Sequence, residues 1–194
     1  MTSLPQPQPP TSIQNYLDGE QASDIKHEYL AGQIVAMGGA SDKHSLIGGS
    51  LYAALLPAAR RKACQLFMAD MKVRVDHDGE SYFYYPDLLL SCQPKDRESA
   101  YYRRHPCLLV EVLSPSTERI DTLEKLLAYR LLPSLREYLL LRQDRVQADL
   151  YQRDDEGRWQ HHTFTQPDDV LTLHCLEAAV PLHEVYADVP ELLA

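Results

Sequence analysis

The sequence predicts an α/β fold, a mixed β-sheet flanked by helices, and three observations carry that prediction. Helical and strand-like periodicities succeed one another as a helix, a hairpin, a helix, three strands, a helix and further strands, an order that packs helices against a sheet. Two strand-like runs, SYFYYPDLLLSC over 81–92 and PCLLVEVLS over 106–114, are almost continuously apolar, as suits central strands covered on both faces. The 194 residues, 44% of them hydrophobic, are enough for one sizeable core and too few for two comfortable ones.

Residues 1–10 hold four prolines and two glutamines and cannot bury enough surface to offset the entropy of ordering, so a disordered or extended tail is expected there and a single domain over 11–194. From Ser12 to about Asp18, Ile13, Tyr16 and Leu17 share a stripe and Gly19 is a stop, the signature of a short helix. HEYLAGQIVAM over 27–37 reads as a hairpin turning at Ala31-Gly32 and ending at Gly38-Gly39. In the segment from Ser41 to Ala63, Leu46, Ile47, Leu51, Ala54 and Leu55 recur at helical spacing behind a Ser41 or Asp42 cap. Gly48-Gly49 weakens this helix and Pro57 threatens its last turns, so a close-packing face or a kink is expected.

QLFMADMKVRVD over 65–76 alternates as one half-buried strand, and the two apolar runs follow as central strands. Between them QPKDRESAYYRRH, over 93–105, is polar and charged and reads as a surface loop. The strongest helical pattern covers 116–133, with Ile120, Leu123, Leu127 and Leu131 in a stripe and Pro133 as its end. EYLLLR, VQADLYQR and RWQHHTFT then read as strands, with turns at Gln143-Asp144 and Asp155-Glu156-Gly157.

A formal charge of −9 argues against a protein that coats nucleic acid through its overall field, while a local basic groove stays compatible with it. Cys64, Cys92, Cys107 and Cys175 are widely spaced, with no CxxC pair and no histidines at zinc-finger spacing, which predicts reduced, buried thiols. No apolar run approaches the roughly 20 residues of a membrane span, and MTSLPQPQPP has neither the apolar nor the basic part of a signal peptide. A soluble, cytoplasmic protein without a membrane partner is expected.

Asp87 and Glu111 stand near the ends of two neighbouring predicted strands, each beside residues that must be buried. If those strands pair in register, both carboxylates leave one sheet face at one end, within reach of a shared cation. Unpaired and dry, each would cost several kcal/mol or take up a proton. In the following helix Asp121, Lys125 and Tyr129 are four residues apart on one face, and Lys125 can bring its ammonium to the pair. Two acidic ligands suit Mg²⁺ or Mn²⁺, which would activate water against a phosphate ester, with lysine orienting the water or taking developing charge. Plainer readings stand beside these: Asp87 as a turn residue after Pro86, Asp121→Lys125 as an ordinary helix ion pair, Tyr129 as packing, Glu28 as a solvated hairpin residue and His44 as a cap. Lys95, Arg97, Arg103 and Arg104 in the 93–105 loop are candidate nucleic-acid contacts, and a solvated surface serves them equally.

YYPDLLL, then EVLSPST 24 positions from Asp87 to Glu111, then DTLEKLLAYRLLPSLREYLLL, resembles the Uma family of putative restriction endonucleases in the PD-(D/E)XK nuclease superfamily. The resemblance runs from about Tyr16 to Tyr186. It implies a restriction-endonuclease-like core, Asp87 and Glu111 as metal ligands, a Mg²⁺-dependent endonuclease activity on DNA, and, because a duplex cut takes two scissions, a homodimer. The superfamily lysine is expected two residues after the glutamate, where this chain has Leu113, and in this family it looks replaced by Lys125 from the following helix. Glu28 and His44 match acidic and histidine positions that resemble further members of the site, while Gln33 stands where the family often has Glu. A non-catalytic binding or interaction module on the same fold is the alternative, and no organic cofactor is implied.

Overall fold

The computed structural model of the chain describes residues 10–114 and 120–193. Helix α1 (Ile13–Ala22) starts at Ser12, whose hydroxyl accepts the Asn15 N–H at 3.2 Å. The expected hairpin is β1 (His27–Leu30) and β2 (Gln33–Ala36), turning at Ala31 and Gly32 with φ of 49° and 93°. Gly32 is required there on two counts, since a Cβ would also sit 2.5 Å from the Cβ of Pro10. Helix α2 (Asp42–Arg61) is capped by Ser41 and continues through Pro57 to Arg61, so its last turns survive the proline that threatened them.

The two runs at 65–76 and 81–92 are not single strands. The first divides into β3 (Gln65–Met68) and β4 (Lys72–His77), the second into β5 (Glu80–Tyr84) and β6 (Leu88–Ser91). In each, the chain leaves one sheet and enters another, at Ala69-Asp70 and at Tyr85-Pro86-Asp87. Ala69 takes φ of 60°, Pro86 has no N–H for a ladder, and the Ala69 N–H donates to the Asp87 carbonyl at 2.8 Å, pinning the crossings together. An unbroken apolar run shows that residues are buried, not which sheet buries them.

The sheets are mixed. One has order β2-β1-β5-β4-β7, with β7 (Tyr102–Arg103) parallel to β4. The other has order β11-β10-β9-β8-β6-β3 and contains β8 (Leu108–Leu113), β9 (Glu137–Arg142), β10 (Ala148–Arg153) and β11 (Trp159–Phe164), with β8 and β9 parallel. A two-stranded ribbon, β12 (Val170–Leu173) and β13 (Ala178–Pro181), precedes the short helix α4 (Leu182–Val185). Along β8, Leu108, Val110 and Val112 face the core shared with α2, the ribbon and α4, while Leu109 and Leu113 face the core shared with Val73, Val75 and Tyr84. The period of two thus sends Glu111 toward the second core. Helix α2 packs on β8 at Gly48, where a Cβ would make only ordinary contact, 3.9 Å from Val112 Cγ2, so the close-packing face is not one that requires glycine.

The 116–133 pattern is realised, within the described residues, as a wide helical turn over Ile120–Lys125 and α3 (Leu126–Arg130). Its leucine stripe faces outward: Leu123, Leu127 and Leu131 are 58%, 65% and 42% exposed, while Lys125 and Tyr129 are buried. The side chain of Asp121 lies outside the described residues.

The expectation of reduced thiols is corrected: Cys64–Cys92 and Cys107–Cys175 are disulfides and no cysteine is free. Gln65 and Ser91 are cross-strand partners, so Cys64 and Cys92 face each other just beyond the ladder. Cys107, before β8, meets the turn between β12 and β13. Sequence spacing carries neither proximity, because both depend on strand register. Among the described residues no helix is long and apolar enough to cross a membrane.

Candidate active site

Asp87 stands where the chain crosses from the five-stranded to the six-stranded sheet. Its Oδ2 accepts the Val112 N–H at 2.7 Å and lies 3.1 Å from His44 Nε2, in the first turn of α2. Its Oδ1 has no protein partner among the described residues. One oxygen is therefore fixed by β8 and α2, and the other is left to solvent or a ligand.

Glu111 and Lys125 are both buried. Lys125 Nζ lies 3.2 Å from Glu111 Oε1 and 3.3 Å from Glu28 Oε1, and the Tyr129 hydroxyl donates to Glu111 Oε1 at 3.0 Å. The four-residue spacing that stacked Lys125 and Tyr129 delivers both to one carboxylate oxygen. Glu28, on β1, is held by the Tyr85 N–H at 3.3 Å. Burial, then the adjacent Glu111 charge, drive the Tyr129 pKa well above its ordinary value, so the phenol stays a donor.

Glu28, His44, Asp87, Glu111 and Lys125 line one cleft of about 880 Å³, walled also by 35–41, Tyr85 and Gln143. Lys26, at its rim, is ion-paired with Asp70. Among the described residues, the carboxylates of Glu28, Asp87 and Glu111 line the cleft together with the ammonium of Lys125. The hard carboxylate oxygens of Asp87 and Glu111 are of the kind that a divalent cation such as Mg²⁺ takes. Among the described residues no group of three or more His, Cys, Asp or Glu side chains is placed to hold a metal ion. An open site is what Mg²⁺ uses, with one or two carboxylates and several waters.

The loop residues are placed elsewhere. Arg103 is buried, its guanidinium over the Phe67 ring and donating to the Ser99 and Tyr102 carbonyls. Arg104 pairs with Asp76 at 2.6 Å, and Arg97 donates to the Ala63 carbonyl at 3.0 Å. Lys95 is exposed. None of the four lines the cleft. Buried Asp96 organises this loop, accepting the Ser91 hydroxyl at 2.6 Å and the Arg104 N–H at 2.7 Å.

A second buried polar group behind the cleft wall has no sequence signal. Lys72 Nζ donates to the Tyr85 hydroxyl at 2.9 Å, which donates to Glu20 Oε2 at 2.7 Å, and His27 Nδ1 is 2.8 Å from Glu20 Oε1. Burial opposes ionisation of Glu20, but the hydrogen bonds from Tyr85 and His27 prevail and hold its pKa below the usual value. Burial lowers the pKa of Lys72. These residues come from α1, β1, β4 and the β5–β6 crossing, so no local spacing links them. They fix Tyr85, whose amide holds Glu28.

The fold and cleft define a nuclease-like α/β protein. A solved structure described as a putative nuclease belonging to DUF820, from Anabaena variabilis, superposes with a TM-score of 0.69 over 85% of this chain and 92% of that one, at 15% identity, which establishes the shared fold. The chain belongs to the Uma2 family, described as putative restriction endonuclease, whose model matches residues 13–183. Two uncharacterized proteins of Synechocystis are similar along much of their length. One is 36% identical over 93% of each chain, the other 30% identical over 74% of this chain and 81% of that one.

Proposed function

We propose that the protein is a Mg²⁺-dependent endodeoxyribonuclease, hydrolysing phosphodiester bonds in the cleft that joins Asp87, Glu111 and Lys125. The observation that carries this is the shared cleft: carboxylates from a sheet crossing and from β8, and a lysine from the following helix, meet in one pocket. Asp87 and Glu111 would hold Mg²⁺, or Mn²⁺ in its place, and when bound the metal supplies an acidified water and a partner for a phosphate oxygen. The residues of the chain do the rest. The Val112 N–H and His44 hold the Asp87 carboxylate in one rotamer. Glu28 and Glu111 pair with Lys125 at the cleft wall, where its ammonium can orient a water or neutralise charge growing on the phosphate. Tyr129 keeps Glu111 from turning away. Asp121 belongs to this reading as a residue that orients Lys125.

Cutting both strands of a duplex takes two such clefts, so the proposal extends to a homodimer. A cytoplasmic setting is part of the proposal. The test is nicking of supercoiled plasmid. Asp87→Asn and Glu111→Gln each abolish Mg²⁺-dependent nicking while the protein stays folded by circular dichroism. Nicking by both variants at the wild-type rate would leave the cleft without this role, and absence of Mg²⁺-dependent nicking by the wild type would favour a binding module.

A further inference from the structure

Away from the cleft, the six-stranded sheet ends in a row of rings that the proposed chemistry does not use. Tyr138 on β9, Tyr151 on β10 and His161 on β11 occupy consecutive cross-strand positions. Their rings stack like cards, with centroids 6.3 Å and 4.4 Å apart and interplanar angles of 27° and 9°. Strand β11 is the sheet edge, so the row stops at His161, whose side chain is 47% exposed. Asp149 Oδ1, 3.0 Å from His161 Nε2, fixes that ring's orientation. Two residues along β11, half-buried Trp159 lies beside the row.

Two arginines stand beside this platform, in a chain of net charge −9, along with the Asp149 carboxylate that holds His161. Arg130, from the end of α3, places its guanidinium carbon 5.5 Å from the Trp159 ring and 5.7 Å from the Tyr151 ring. It forms no hydrogen bond or ion pair among the described residues, and its Nε is buried without a partner. Among the described residues, Arg153, paired across the ladder with Trp159, donates only to the Gly157 and Pro133 carbonyls. The acids of the neighbouring turn are engaged by others, Asp154 and Glu156 by Arg158 and Asp155 by Arg136.

We propose that this edge is a binding subsite for an unpaired nucleic-acid strand, with a base continuing the ring row at His161 or lying on Trp159 and a phosphate taken by Arg130. A ring row that ends at an exposed imidazole, beside arginines with no carboxylate partner among the described residues, offers the stacking and charge that single-strand recognition uses, and a duplex keeps its base faces covered. The row also runs inward to the cleft: Tyr138 meets Tyr129 edge to face at 5.2 Å, and Tyr129 holds Glu111. The choice of nucleic acid as occupant rests on the nuclease reading, while the binding does not depend on cleavage.

Trp159 is the single tryptophan of the chain and reports the site directly. The full-length protein in EDTA is titrated with a twelve-residue oligothymidylate and with a duplex of equal length, following Trp159 fluorescence. The oligothymidylate quenches Trp159 and binds about tenfold tighter than the duplex. Arg130→Gln and His161→Ala each weaken that binding about tenfold, in line with one lost stacking or phosphate contact. Arg130→Gln also lowers the slope of log affinity against log salt by about 0.7. Absence of quenching up to ~100 µM oligonucleotide, the weak end of non-specific binding, overturns the proposal. So does quenching that both variants leave unchanged, or a Trp159 change that follows protein concentration alone, which would make the edge an interface between copies. Asp87→Asn retains oligothymidylate binding in EDTA, so loss of the platform and loss of the proposed cleavage are separately visible.

Discussion

Replacing Lys125 by Met removes the one ammonium that two carboxylates share. Glu111 and Glu28 side chains are 4% and 12% exposed, and each has an oxygen within 3.3 Å of Lys125 Nζ. Without the lysine they face each other across its vacated place. Two unit charges about 6 Å apart repel by about 3 kcal/mol at an effective dielectric constant of about 20. Breaking a buried ion pair from one side costs about 3–5 kcal/mol by the same logic, and Met, close to Lys in volume, opens little cavity. At roughly 2–4 °C per kcal/mol for a chain of this size, the melting temperature should fall by about 6–20 °C. A thermal melt by circular dichroism at neutral pH without divalent metal measures it. In the double variant Lys125→Met, Glu111→Gln, the removed negative charge restores part of the loss, so the two changes are non-additive by more than about 1 kcal/mol. A single-variant drop below about 2 °C, or strict additivity, would refute the claim that Lys125 is held by charge rather than by packing.

Two further outcomes follow from the structure. Alkylation of the native, unreduced protein followed by mass spectrometry should find no free thiol. Closing loops with sequence separations of 28 and 68 residues should contribute about 3.5 and 4.5 kcal/mol, so reduction lowers the melting temperature; four alkylated cysteines in native protein would contradict the pairing. Burial opposes ionisation of Asp149, but hydrogen bonds from Thr163, Gln147 and His161 prevail and depress its pKa. Its stabilising contribution is therefore complete above the unfolded carboxylate value near 4 and is lost as pH falls through the lower folded value. Between about pH 5 and pH 2 the melting temperature of Asp149→Asn should fall less than that of wild type, and parallel curves would remove Asp149 from the acid response.

The amino-acid sequence by itself carried the local periods and the anomalous charges. HEYLAGQIVAM shows its hairpin because Ala31-Gly32 is a turn signal between two strand-like runs, and EVLSPST shows a carboxylate inside a buried run because valine and leucine flank Glu111 on both sides. The Lys125 and Tyr129 spacing was legible for the same reason, since four residues make one helical turn. Only tertiary structure decided which partner each period met. It split 65–76 and 81–92 between two sheets, because burial is a property of residues and pairing a property of register. It brought His44 to Asp87 and Glu28 to Lys125 across long stretches of chain. It also turned the leucines of 120–131 outward. Area burial alone would have put Leu123, Leu127 and Leu131 inside, yet the dry carboxylate of Glu111 needs a cation and a donor, and leaving it unpaired costs more than exposing three aliphatic side chains. The same preference for satisfying charge over burying oil made the cleft.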